Sequence, residues 1–185
     1  FEKGKWVELK PFSRPEEVDF PDPVGKQTTF ATLHSEVATL PVSFKDKGIQ
    51  EVSFKLALPK EFEKKLRFLV DLGFGSKKTI LVNGEKIIPR DVLLAITANL
   101  PKPKAKPDDH KVLRVDVKGK KNREELEYRI ESIQHPYEKW NMRCGAFTVG
   151  FPVSVVAKML AGGQVKAKGA MGSEQSIQPE IFFKE

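Results

Sequence analysis

A single cysteine, Cys144, in 185 residues excludes an intrachain disulfide and suits a reducing compartment. No run of 18 apolar residues occurs, so no membrane partner is expected. The chain opens Phe1-Glu-Lys-Gly-Lys5, without an initiator methionine or the basic and apolar regions of a secretory leader. A cytoplasmic protein is therefore expected, with this chain as a piece of a longer one. The three histidines, His34, His110 and His135, are far apart in sequence, and none stands at zinc-ligand spacing from Cys144, so no metal is expected. A dinucleotide fingerprint is missing too. Its nearest match, Gly73-Phe-Gly75-Ser-Lys-Lys78, has lysine in the third glycine position and follows a helical pattern rather than a strand.

What is present suits one packed domain over residues 1–185: 39% hydrophobic and 31% charged residues. The net charge of +7 comes from 32 basic residues against 25 acidic ones, spread over most of the chain. That distribution reads as a solubilising surface, with no nucleic-acid partner expected. Most of the 13 phenylalanines fall inside apolar patterns, which argues against stacking platforms for bases. The densest basic stretch, Pro101 to Arg123, reads as a Pro/Lys loop leading into a hairpin.

Periodicity supplies the elements. Lys5–Leu9 and Gln27–Leu33 read as short strands separated by a loop punctuated by Pro11, Pro15, Pro21 and Pro23. Val52, Phe54, Leu56 and Leu58 alternate with polar residues as a strand, and Pro59 opens a helix that Gly73 stops. Asn83-Gly84 predicts a tight hairpin, and Pro89 opens a second helix. Leu113, Val115 and Val117 face Leu126, Tyr128 and Ile130 in an antiparallel pair with one wet face, turned by Gly119 to Arg123. Gly150 reads as the N-cap of a last helix, with Pro152 in its first turn. Val153, Val156, Ala157 and Leu160 form its buried stripe, and Gly162-Gly163 end it. The fold class is α+β, an antiparallel or mixed sheet with helices mainly on one face.

Gly150-Phe-Pro-x-Ser-x-x-Ala-x-Met-Leu160, with Gly162-Gly163 and Gly169 beyond it, resembles the carboxy-terminal signature of saccharopine dehydrogenase-like oxidoreductases. In order along the chain, Phe20-Pro-Asp-Pro-Val-Gly25, His34-Ser-Glu-Val-Ala-Thr-Leu-Pro41, Leu66–Gly73, Pro89–Leu94, Leu113–Val117 and Pro179-Glu180 resemble that family as well. Val149 stands where a threonine is common, and Gly172-Ser173-Glu174 replaces a usual Pro-Pro-Glu. The resemblance implies the substrate-binding and dimerisation domain of an enzyme that uses NAD or NADP on a C–N bond of an amino acid such as saccharopine or lysine. It further implies a Rossmann domain of the same chain to hold the cofactor, a homodimer, and no activity for this portion alone. The competing reading is a non-catalytic interaction module that uses a one-sided sheet.

Chemistry at a carbon next to nitrogen needs a proton acceptor for the amine and a clamp for the substrate carboxylates. His34 and Glu36 are the candidate catalytic residues, because the ordinary titration range of histidine spans neutrality. Thr39, Arg143, Thr148 and Gly150 are the candidate substrate-binding residues. Arg143 offers a bidentate grip on a carboxylate, and the N–H groups around Gly150 offer a helix N-terminus for an oxygen. Cys144 reads as a small buried apolar residue, in preference to a nucleophile served by His34 or His135.

Overall fold

The computed structural model describes residues 1–101 and 106–185. The lysine-rich loop expected after Pro101 falls largely on residues 102–105, outside those described. The elements are β1 (Glu16–Asp19), β2 (Lys26–Ala31), α1 (Ser35–Ser43), β3 (Lys55–Ala57), α2 (Lys60–Asp71), β4 (Ile80–Val82), β5 (Glu85–Ile87), α3 (Pro89–Ala98), β6 (Lys111–Lys121), β7 (Glu124–Gln134), α4 (Cys144–Ala161), α5 (Ser173–Ser176) and α6 (Pro179–Phe182). The class is α+β. The strands form three small sheets, β1-β2-β3, β4-β5 and β6-β7, rather than one layer. Two compact units result: residues 1–56 with 106–185, and residues 57–105.

In the first unit the proline-rich stretch is itself a hairpin. β1 pairs antiparallel with β2 from Glu16↔Thr29 to Asp19↔Lys26. The loop between them is closed by the Phe20 N–H on the Gly25 carbonyl at 3.2 Å. Prolines Pro21 and Pro23 thus occupy a turn, where a missing N–H costs no ladder bond. The strand expected over Lys5–Leu9 is absent. Lys5 instead closes a turn with Glu2 through two backbone bonds of 2.7 and 2.9 Å, and Lys3 and Gly4 adopt positive φ there.

Trp6, freed from a strand, has another task. α1 forms where the sequence suggested only a polar cluster, and it contains Pro41. Pro41 has no N–H to give to the carbonyl of Val37, four residues back. The Trp6 indole N–H reaches that carbonyl at 3.2 Å, so the orphaned acceptor is satisfied from 31 residues away.

The β6–β7 hairpin holds eleven pairs, from Lys111↔Gln134 to Lys121↔Glu124. Its turn is shorter than expected. Only Asn122 and Arg123 lie outside the strands, both at positive φ, the two-residue geometry that matches strand twist. Gly119 is therefore a strand residue, not part of the turn.

In the second unit, β4 and β5 meet across Asn83-Gly84, both at positive φ, as the dipeptide predicts. α2 ends at Gly73, whose φ of 95° only glycine adopts without strain. This is a helix stop and not a phosphate cradle.

α4 departs most from expectation. It begins at Cys144, not at Gly150, and passes through Pro152. Its buried residues are Cys144, Val155 and Met159, while Val153 and Leu160 of the expected stripe are open. A helix apolar on nearly all sides gives no period from which to choose a face. Lys158 is its only charged residue, and its mean hydropathy of 1.6 over 18 residues makes it, among the described residues, the one helix able to cross a membrane by length and composition alone. The core helix of a globular domain passes the same test. Outside α4, the buried residues of the unit are Thr29 and Phe30 of β2 and Pro41 of α1.

Candidate functional site

His34 immediately precedes α1, and its ring lies flat on Phe54, with centroids 4.0 Å apart and planes 8° from parallel. The His34 Nδ1 contacts the carboxylate of Glu36, which also accepts from the Ser35 hydroxyl at 3.1 Å. Partial burial pulls the Glu36 carboxyl upward. Hydrogen bonds from His34, from its own backbone and from Ser35 outweigh that and hold it below the usual carboxylate range. An ionised Glu36 fixes the proton on Nδ1 and leaves Nε2 with a lone pair.

One turn further along α1, Thr39 and Ser43 hold a second carboxylate, Glu174 at the start of α5. Ser43 Oγ donates to it at 2.6 Å, and Thr39 donates as well. The Ser43 bond, the largest influence, lowers the Glu174 carboxyl despite partial desolvation and the nearby charge of Glu36. The structure therefore places His34 at the N-cap of α1, Glu36 in its first turn and Thr39 in the next, and adds Glu174. Sequence reasoning passed over this residue. Its only signal was the glutamate retained where Gly172-Ser173 replaces Pro-Pro.

Gly172 protects this arrangement, because a Cβ built there would lie 2.3 Å from Glu174 Oε1. Gly172→Ala is expected to push the carboxylate off Ser43 and Thr39. A carboxyl whose folded pKa is depressed stabilises above its unfolded value, about 4.3, and that stability is lost as pH falls through the folded value. The wild-type advantage over Gly172→Ala in urea midpoint should thus be largest near about pH 7 and close on acidification below about pH 4. A gap independent of pH would show that the glycine acts through backbone freedom alone.

The remaining predicted residues lie at α4. Arg143 is its N-cap, exposed, and no ion pair or side-chain hydrogen bond engages it among the described residues. Thr148 lines an open cavity of about 310 Å³ with Ser132, Gln134, His135, Phe147 and Phe151. The cavity wall gains an acceptor from chemistry: Pro152 has no N–H for the Thr148 carbonyl. Gly150 sits inside the helix, so the free N–H groups of the helix start belong to the residues just after Arg143, and Gly150 is not that terminus. No hydrogen bond or ion pair among the described residues links this group to the His34 group.

Two sequence-distant histidines meet at the base of the hairpin, His110 Nδ1 lying 3.0 Å from His135 Nδ1. Among the described residues, however, no three His, Cys, Asp or Glu side chains are grouped to hold a metal ion. Cys144 is fully buried, at 0% exposure. Burial first, and the charge of Asp109 second, push its thiol up against the opposing pull of Lys111, so it stays protonated and unreactive.

A family profile described as the saccharopine dehydrogenase C-terminal domain matches residues 2–184. The chain belongs to that family. It is thus a domain of an oxidoreductase family that is generally NAD(P)-dependent. In this C-terminal domain the helix-stop loop around Gly73 does not fit a dinucleotide, because it follows α2 and offers no strand-to-helix turn.

Proposed function

We propose that this chain is the substrate-binding and dimerisation domain of an NAD(P)-dependent oxidoreductase acting on a C–N bond of an amino acid such as saccharopine or lysine. The observation that carries the reading is the His34–Glu36 pair, braced by Phe54 and flanked by Thr39 and Glu174, in a chain of this family. His34 Nε2 takes the proton released by the substrate amine, while Glu36 steadies the ring and the imidazolium that forms. Glu174, kept ionised by Ser43 and Thr39, offers a negative charge to an ammonium group. Arg143, which no ion pair engages among the described residues, grips a substrate carboxylate bidentately. The nicotinamide cofactor supplies the redox chemistry, and it sits on a Rossmann domain of the same protein in the cytoplasm. This reading excludes nucleic acid and membrane as partners.

The test is formation of NADH or NADPH by the intact protein with saccharopine, lysine and other diamino acids as substrates. Turnover with at least one of them, and a KM raised by Arg143→Ala with smaller change in kcat, is expected. No dinucleotide reduction with any amino acid would leave the interaction-module reading in its place.

A further inference from the structure

The β6–β7 hairpin separates its chemistry cleanly between two faces. On one face four cross-strand ion pairs run in sequence: Arg114–Glu131, Arg129–Asp116, Lys118–Glu127 and Lys120–Glu125, at 2.5, 2.7, 2.9 and 3.5 Å. The Arg129 bond first, then its charge, holds the Asp116 carboxyl below the usual range. Arg114 also covers the Phe20 ring at 4.8 Å and donates to the Asp19 carbonyl at 2.5 Å. Every charge on this face has a partner, so it has little electrostatic call for another molecule.

The opposite face carries Leu113, Val115, Val117, Leu126, Tyr128 and Ile130. Val115, Val117, Tyr128 and Ile130 are 51–63% exposed. Four consecutive rungs make a strip about 20 Å long with no charge inside it. Such a strip on a twisted two-stranded ribbon is unstable in water unless something covers it.

We infer that this apolar hairpin face packs against the same face of a second copy, so that it forms the centre of the dimer. The inference rests on the dimeric reading given above and adds the surface. An isologous contact requires a patch that complements itself, and the rungs satisfy that. The two central rungs, Val115/Ile130 and Val117/Tyr128, are bulky on both strands. The two outer rungs each pair a large residue with a small one, Leu113 with Ser132 and Leu126 with Gly119. Turned over on a two-fold axis running along the strands, β6 lies across from the partner's β7. Leu113 then fills the space above the partner's Ser132, and Leu126 that above the partner's Gly119.

Charge selects the same axis. Lys121 and Glu124 bound the strip at the turn end, and neither makes an ion pair among the described residues, unlike the charges on the other face. The strand-parallel axis sets Lys121 against the partner's Glu124. The crosswise axis would set Lys111 over the partner's Lys121, a like-charge contact.

The test is the mass of the intact protein in solution, wild type against Val117→Lys and Tyr128→Lys, with Lys118→Ala as a control on the ion-paired face. The side chains replaced are exposed, so the variants should keep the wild-type circular dichroism. Support is a wild-type dimer, monomeric apolar-face variants and a dimeric control, with Lys121→Glu raising the dimer dissociation constant at least about tenfold and added Glu124→Lys restoring it. A dimer that survives Val117→Lys and Tyr128→Lys overturns this surface while leaving the dimeric reading standing. A monomeric wild type overturns both, and then another part of the same protein covers the strip.

Discussion

His34→Ala in the intact protein is expected to lower kcat by about 10²–10⁴-fold, the range for removing a positioned acid–base group. Two features of the geometry set that size. The ring is held in plane by Phe54, and its Nδ1 is committed to Glu36, so only Nε2 is left to exchange a proton. An amine substrate gripped through its carboxylates would still bind, so KM should move much less than kcat. The pH profile separates a proton acceptor from a merely structural residue. For an acceptor, the limb of kcat/KM that falls toward low pH should disappear in the variant along with the rate. Glu36→Gln should give an intermediate loss, since an amide can still contact the ring but stabilises its cation poorly. A His34→Ala enzyme with wild-type turnover and an unaltered profile would remove the histidine from the chemistry and leave it as a lid on Phe54.

Met159→Ala should be the costliest single substitution for stability, at about 2–5 kcal/mol. Met159 is 1% exposed, and it lies one helical turn from buried Val155 on the same face of α4. Truncation leaves a void that neighbours fill only in part. Its chain neighbour Leu160 is 57% exposed, and Leu160→Ala should stay within about 1 kcal/mol. The comparison of urea midpoints decides which face of α4 is inside. Equal losses at the two positions would restore the stripe that periodicity proposed.

That disagreement shows where the sequence was legible. Elements with a strict period or a turn dipeptide were readable: the β6–β7 strands from their alternation, β4–β5 from Asn83-Gly84, α2 and α3 from their opening prolines and apolar spacing. Prolines misled twice, because their meaning depends on what surrounds them. Pro21 and Pro23 lie in the turn of a hairpin rather than in an unstructured loop. Pro41 and Pro152 lie within helices, the first tolerated because Trp6 takes up the carbonyl it strands. No local pattern announces a donor 31 residues away. Uniform apolarity hid the buried face of α4, and the same uniformity obscured its start.

The candidate site divides in the same way. His34, Glu36 and Thr39 were readable as a group because they fall within six consecutive residues, although the helix that orders Glu36 and Thr39 was not. Glu174 was not, since its bond to Ser43 spans 131 residues and only the folded chain reveals it. Arg143 and Thr148 were readable as residue types suited to a substrate, but the helix start was placed at Gly150, whereas α4 begins at Cys144, with Arg143 as its N-cap and Thr148 inside it.

The unit that carries this site is interrupted in the sequence: residues 57–105 form a separate compact body between its two halves. A ribosome therefore releases His34 and Glu36 long before Glu174. The long hairpin can zip within about 1–10 μs of its own synthesis, since only two residues divide its strands. The Ser43–Glu174 bond must wait for a far larger loop to close. The acidic flank beside His34 thus assembles after the hairpin during synthesis, and a chain cut before Ser173 would keep β1 to β7 and α4 without it.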